Sequence, residues 1–201
     1  MRIVVVGGGG HASDVLGVVE ALGHAVVGFQ DDRQPELRRF EGRARHIGPI
    51  GDPCDATAFA WGLGWPAARR AMLPRLKLAA ATLIHPSATV HPNVRIGEGV
   101  VIMAGAIVSA GAVIGDHVLI HHNAIIGHDC EVGRFTSVMP GAAVSGDVSL
   151  GEGCLIGANA TVIQGLMIGA RAVLGAGAVA TRDLPADMTA VGKAAKPLPP
   201  R

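Results

Sequence analysis

Two stretches of the chain carry residue types whose spacing could do chemistry. The first is His128-Asp129, which follows Ile126-Gly127. An imidazole titrates near neutrality and can accept a proton, and a neighbouring carboxylate can orient it or raise its basicity. The second is Gly7-Gly8-Gly9-Gly10-His11, which has the form Gly7-x-Gly9-x-x-Ala12 and is followed about twenty residues on by Asp31-Asp32. Glycines there let backbone N–H groups and a helix N-terminus approach a phosphate, so this stretch reads as a site for a nucleotide diphosphate.

An internal period supplies what must hold the first of these. Every sixth residue from Ile84 (Val90, Ile96, Ile102, Val108 and so on to Leu174) is Ile, Val or Leu, sixteen positions without a break. Two residues before each lies a second ladder of mostly small side chains, among them Ala106, Ala112, Ala124, Cys130, Thr136, Ala142, Cys154 and Ala160. A period of six with inward positions two apart is neither helical nor simple strand alternation. It suits a short strand, a corner and another short strand, three such units closing a triangular coil. Coils stacking at about 4.8 Å would make residues 84–179 a prism of about five coils, roughly 25 Å tall. Residues eighteen apart then lie on one another, which sets His128 at an outward corner below Gly146 and above Ala110. Cys130 and Cys154 fall on the inward ladder and are expected to be buried. Glycine is abundant (29), aromatics are 3% and tyrosine is absent, which also points to a narrow, repetitive interior.

Residues 1–80 do not follow the period. They predict a strand over Arg2–Val6, a helix from Ala12 or Ser13 to Leu22 stopped by Gly23, a strand over His24–Phe29, another over Ala56–Leu63, and a helix over Pro66–Lys77. This is a small Rossmann-like α/β domain, 1–80, ahead of a solenoid domain, 81–201. A full dinucleotide fold needs two mononucleotide halves, and this stretch holds little more than one. The formal net charge of +1 gives no reason to expect a nucleic-acid partner. No apolar run reaches membrane-spanning length, and MRIVVVGGGG lacks the apolar region of a signal peptide. Three cysteines without C-x-x-C spacing fit a reducing cytoplasm and neither a disulfide framework nor a zinc ribbon.

The repeat segment resembles the hexapeptide-repeat proteins, and that resemblance, rather than the spacing, implies a left-handed parallel β-helix. Over nearly all 201 residues the chain is similar to the bacterial sugar acyltransferases of the PglD/NeuD type, which acetylate nucleotide-linked amino sugars or sialic acid. The likeness rests on the glycine run with His11, Asp31-Asp32, Ile84-His85-Pro86-Ser87-Ala88 and Gly127-His128-Asp129-Cys130. It continues in Pro140-Gly141 with Ser145-Gly146, Ile156-Gly157-Ala158-Asn159-Ala160 and Gly175-Ala176-Gly177-Ala178-Val179.

The resemblance implies a homotrimer with active sites between subunits, His128 as general base and Asp129 beside it. It implies acetyl-CoA as co-substrate, lying along the helix groove by Ala158, Gly175 and Ala176 with its thioester carbonyl near the Gly146 N–H, and no metal. The nucleotide sugar would sit by Gly9, His11, Asp31 and Asp32, with Ser137 on the acceptor side. The chemistry agrees: an amine attacking a thioester must lose a proton, which a corner histidine can take, and the developing oxyanion needs a donor. The activity implied is N-acetylation of a nucleotide-linked amino sugar for surface polysaccharide or glycoprotein synthesis. O-acetylation of a sugar or sialic acid, and a non-catalytic nucleotide-sugar-binding protein, stay open beside it.

Nine histidines occur, five of them between His91 and His128, so a zinc enzyme resembling γ-class carbonic anhydrases must also be weighed. His117 and His122 have a five-residue spacing but different corner offsets, so three convergent ligands are not supplied there. The chain departs from its relatives on the acceptor side. Ser137 stands where they often carry a second histidine, and His121-His122-Asn123 stands where they often have Asn-Thr. Some also have Glu at Asp129. In the tail Val191-Gly192-Lys193-Ala194-Ala195-Lys196, the lysines could meet CoA phosphates or simply be solvated.

Overall fold

Ile3-Val4-Val5-Val6 is a continuous β-branched run buried on both sides, as a central parallel strand requires. In the computed structural model, which describes residues 1–33, 40 and 42–192, it forms β1 (Arg2–Val6). Strands β2 (Ala25–Gln30), β3 (Ala58–Trp61) and β4 (Ala79–Ala80) join it in a parallel sheet of order β2-β1-β3-β4. The last of these strands is not foreseen in the sequence. Helix α1 (Gly10–Ala21) starts two residues before the predicted Ala12, because Gly9 is extended (φ −86°, ψ −175°) and already serves as its N-cap. Helix α2 (Pro66–Met72) is shorter than predicted. Pro74 offers no N–H for another turn, so the chain tightens into a 3-10 turn over Leu73–Arg75.

From Leu83 onward two-residue strands wind into three parallel faces. The first face carries seven strands, from Leu83–Ile84 to Thr189–Ala190. The second carries six, from Thr89–Val90 to Val179–Ala180, and the third five, from Arg95–Ile96 to Met167–Ile168. Register confirms the stacking by eighteen: Ile126 pairs with Val144, Val132 with Leu150 and Val138 with Ile156. Both ladders fill the interior, with Cys130 and Cys154 fully buried as expected and their thiols' pKa values pushed up by burial. Thr136, a polar residue on the inward ladder, is satisfied there: its hydroxyl donates to Gly151 O and accepts from Cys154 N–H (2.9 and 3.0 Å). The seventh strand of the first face breaks the period, since Leu174 pairs with Ala190 after sixteen residues rather than eighteen.

The corners have their own rule. Every sixth residue from Gly99 to Gly177 takes positive φ, with glycine at half of these positions. The others are His117, Asn123, Asp129, Phe135, Asp147, Asn159 and Arg171. Asn and Asp tolerate this region; His117 (φ 58°) and Phe135 (φ 61°) are held in it at a cost. Lys193 and Lys196 lie outside the described residues.

The α/β unit sits on the first face. Val15, Leu16 and Val19 of α1 pack in one core with Ile3, Val5 and Ala60 of the sheet and with Leu83, Val101 and Leu119 of the solenoid. The junction is closed by polar groups. Trp61 Nε1 donates to His117 Nδ1 (3.2 Å). Arg69, fully buried, donates to the carbonyls of Leu63 and Gly64 (both 2.9 Å), His117 (3.2 Å), Phe135 (2.6 Å) and Thr136 (3.2 Å), and to Ser137 Oγ (2.9 Å). No carboxylate faces it among the described residues, and burial lowers its pKa to about 9, leaving it charged at neutral pH.

Replacing Arg69 by Ala would orphan the carbonyls of Leu63, His117 and Phe135, since Thr136 O keeps Leu119 N–H and Gly64 O keeps the Ser137 hydroxyl, and is expected to lower unfolding free energy by about 3–5 kcal/mol. Arg69→Lys should recover little, since one ammonium has three donors and no planar fork. Urea unfolding of both variants checks this; a loss below about 1 kcal/mol for Arg69→Ala would show that the junction does not depend on the guanidinium.

Candidate active site

The corner between the second and third faces is built by residues that leave no choice at Gly127. A Cβ there would lie 2.5 Å from Gly146 N and from the Ser145 carbonyl carbon, so only glycine lets the two coils close up. His128 follows, pointing outward, and Asp129 turns the chain with φ 57°. The Asp129 carboxylate reaches back to the ring, with Nδ1 and Oδ2 2.9 Å apart. On the other side the ring lies over Gly146: a Cβ on that residue would overlap its Nε2, Cε1 and Cδ2 atoms. Among the described residues the Gly146 N–H has no acceptor. Asp147, one coil beyond Asp129, also has its carboxylate within 4.8 Å of these groups. The stacking by eighteen carries that signal too, and the sequence reading passes over it. This corner therefore presents an imidazole with one nitrogen oriented by a carboxylate, the other free, beside an unused backbone donor.

Ala158, Gly175 and Ala176, expected to line the cofactor groove, also come together. A Cβ on Gly157 would lie 2.5 Å from Ala176 N. They occupy a different edge, however, the corner between the first and second faces. Within one chain the structure thus separates them from His128 and Gly146 by the width of the second face.

The glycine turn folds as its sequence suggests. Gly7 takes φ 112° and its Cβ position is filled by Gly62 and Leu63, while Gly9, at the α1 N-terminus, faces open space. The acidic pair behind it is engaged by the chain itself. Asp31, nearly buried, accepts from Gly8 N–H (2.7 Å) and Arg33 N–H (2.8 Å), which fixes the turn. Asp32 accepts from Ile50 N–H (3.0 Å) and from both Arg75 guanidinium nitrogens (2.5 and 2.9 Å), and that hydrogen bonding holds its pKa below the usual value. Ser137 is fully buried between Arg69 and the Gly64 carbonyl. Its hydroxyl serves the junction within this chain.

His11 points at the solenoid. Its ring centroid is 5.2 Å from that of His121, on the same edge as Ala158 and Ala176. Burial, and then the neighbouring His121, Arg69 and His122, lower the His11 pKa to about 3. Burial and His122 lower that of His121 to about 4, against the opposing pull of Asp14. His117 and His122, the pair with zinc-like spacing, stand at different corners, and the His117 ring is buried under Trp61 and Phe135.

Comparisons with known proteins decide the family. Residues 2–76 match the PglD N-terminal domain, residues 111–146 the bacterial transferase hexapeptide repeat, and residues 147–182 the hexapeptide repeat of succinyl-transferase. The acetyltransferase domain of PglB from Neisseria gonorrhoeae superposes with a TM-score of 0.87 at 34% identity, over 98% of this chain and 99% of that one. The chain belongs to the PglD-type hexapeptide-repeat sugar acyltransferases. Its solenoid is accordingly a left-handed parallel β-helix, and the protein is an acyltransferase. A further structure of the same PglB domain, at 35% identity and 98% coverage of both chains (TM-score 0.87), is a complex with acetyl coenzyme A. A point mutant of perosamine N-acetyltransferase from Caulobacter crescentus, in complex with CoA and GDP-perosamine, matches at 33% identity over 96% and 94% of the two chains (TM-score 0.85). WeeI from Acinetobacter baumannii, at 22% identity, shares the fold (TM-score 0.82, 96% and 97% coverage). No curated protein sequence matches the chain.

Both junction histidines are held well below the ordinary value of 6.5, so the unfolded chain binds more protons than the folded one between about pH 3 and 6.5. Stability is therefore full above that window and falls as pH drops through it. His121 alone should cost about 2 kcal/mol between pH 7.5 and 5. Urea unfolding at the two pH values checks the sign, and a His121→Phe variant with an unchanged pH difference would overturn the assignment.

Proposed function

We propose that the protein transfers the acetyl group of acetyl-CoA to the amine of a nucleotide-linked amino sugar. The observation that carries this reading is the corner where the His128 ring spans from Asp129 to the unused N–H of Gly146. The sugar amine attacks the thioester carbonyl carbon directly. His128 Nε2 takes the proton the nitrogen loses, with Asp129 on Nδ1 orienting the ring and offsetting the imidazolium charge. The Gly146 N–H donates to the carbonyl oxygen as it becomes an oxyanion, and CoA departs as the thiolate. No covalent enzyme intermediate is needed, and the buried Cys130 and Cys154 thiols are not placed to form one. The relatives with acetyl-CoA, or with CoA and GDP-perosamine, support both co-substrates. The open Gly9 turn at the α1 N-terminus suits the sugar nucleotide's diphosphate.

The two halves of the site lie on opposite edges of the second face, which suggests that copies complete each other. That face also leaves Ile107, Ile125 and Val179 exposed (40, 41 and 57%), an apolar stripe for a neighbour to cover. We read the assembly as a homotrimer in which one chain's His128 corner meets the next chain's edge of Ala158, Gly175 and Ala176. Three unpaired cysteines suit the cytoplasm as its location.

Free-thiol release from acetyl-CoA with a panel of nucleotide amino sugars tests the reading. We expect turnover with at least one acceptor, and a fall in kcat of about 10²–10⁴-fold in His128→Ala with acetyl-CoA binding retained. Release above the His128→Ala background with none of them, or with hydroxyl acceptors only, would refute N-acetylation. Gly146→Ala should pull the ring off its position and cost about 10²-fold or more in kcat, with little change in KM for acetyl-CoA. Wild-type kcat in that variant would remove Gly146 from the mechanism.

A further inference from the structure

Acetyl transfer as set out above uses one of the two carboxylates at the His128 corner and leaves the other over. Asp147 follows Gly146 directly and stands one coil beyond Asp129, at the same corner position and with the same φ of 57°. Its backbone N–H donates to His128 O (2.9 Å). One side-chain atom each of His128, Asp129 and Asp147 lies within 4.8 Å of the other two, and all three residues are exposed.

Two observations set Asp147 apart from other corner residues. At comparable corners the polar side chain rests against the glycine one coil back. Asn123 Oδ1 fills the space beside Gly105, Asp129 Oδ1 that beside Gly111, and Asn159 Oδ1 that beside Gly141. One coil back from Asp147 stands Asp129 instead of a glycine, and the space beside Gly165, one coil on, is open. The Asp147 carboxylate accordingly has no hydrogen-bond or ion-pair partner among the described residues. Second, the turn does not need the charge. Asn serves at positions 123 and 159 with φ 55° and 54°, so the backbone gives no reason to set one carboxylate above another. The space before these two acids is where the acceptor must enter, because the His128 Nε2 lies over Gly146.

We propose, building on the acetyl-transfer reading, that Asp147 makes this corner select an amine over a hydroxyl, by accepting the one N–H of the acceptor that the reaction does not remove. A primary amine brings two hydrogens on the attacking nitrogen. One goes to His128 Nε2 as the N–C bond forms and the thiolate leaves. The other stays, and becomes the N–H of the product amide. Two acceptors about 2.9 Å from one nitrogen, at its tetrahedral angle, stand roughly 4.7 Å apart. The Asp147 carboxylate lies within 4.8 Å of a His128 ring nitrogen, which suits one nitrogen bonded to both. The nitrogen gains positive charge as it attacks, which strengthens its bond to a carboxylate. A hydroxyl carries a single hydrogen. With that hydrogen on His128, Asp147 faces an oxygen lone pair and repels it. The hydrogen held by Asp147 is the one that an ester lacks.

Thiol release is followed with and without EDTA, using the nucleotide amino sugar of the panel that turns over fastest. The sugar nucleotide with a hydroxyl in place of that amine is measured as a competitive inhibitor. Asp147→Asn keeps the shape and the tolerance of positive φ, and its amide can donate to a hydroxyl oxygen. We expect the amine KM to rise about tenfold, with the Ki of the hydroxyl analogue equal or lower. Tm and the KM for acetyl-CoA should not move. An amine KM within about twofold of wild type would overturn the proposal. So would a Ki that rises in step with KM, which marks a change of shape, or a fall confined to kcat, which puts Asp147 behind the ring. Wild-type turnover that EDTA abolishes would also overturn it, since the two carboxylates would then hold an ion. Absence of turnover with every amine, EDTA or not, removes the acetyl-transfer reading and this proposal together. Turnover with an unmoved amine KM in Asp147→Asn removes this proposal alone.

Discussion

A single buried guanidinium sets the relation between the two parts of this molecule. Arg69 reaches from α2 into the first face and is met there by oxygen atoms alone, five carbonyls and one hydroxyl. A buried cation without an anion is tolerated only when its donors are satisfied by dipoles, and these come from both sides of the junction. Two of the carbonyls belong to His117 and Phe135, corner residues held at positive φ where most corners use Gly, Asn or Asp. That conformation costs on the order of 1–2 kcal/mol for such residues, and it turns their carbonyls toward the arginine. The strain and the charge are each understandable only with the other present. Because Arg69 seats α2, and Trp61 seats the sheet on His117, α1 is carried to a defined place beside the His121 edge.

The solenoid was largely legible in the sequence because its physics is periodic. A ladder residue every six positions has one way to be buried, and stacking by eighteen follows. That is why His128, Gly127 and Gly146 could be set together before any coordinates, and why both cysteines could be assigned to the interior. The seventh strand of the first face escaped because it arrives after sixteen residues. The glycine turn was legible as a turn, but Asp31 and Asp32 were read as ligands of a substrate. Residue type says that a carboxylate accepts hydrogen bonds; it does not say that Gly8 N–H and Arg75 already engage these two.

Contacts between the two parts were out of reach for a different reason. An arginine on a short helix reads as solvated, and a serine near an expected site reads as part of it. Arg69 and Ser137 acquire their roles only from each other. His11 meeting His121 is a contact over more than a hundred residues with no period linking them. Sequence spacing finds chemistry within an element or along a repeat, and is silent where two unrelated segments meet.

The stacking by eighteen has a consequence for how the gene can drift. An insertion of one hexapeptide between His128 and Gly146 would keep the ladder intact and the interior filled, yet it would swing every later residue round to the next edge. Inserting a whole coil would restore the edge but lift Gly146 one storey away from the imidazole. Only past Ala176, beyond both the junction at His117 to Ser137 and the edge of Ala158, Gly175 and Ala176, can whole coils be added with little harm. Descendants of this chain should therefore differ in the height of the prism far more readily than in the single coil separating these two residues.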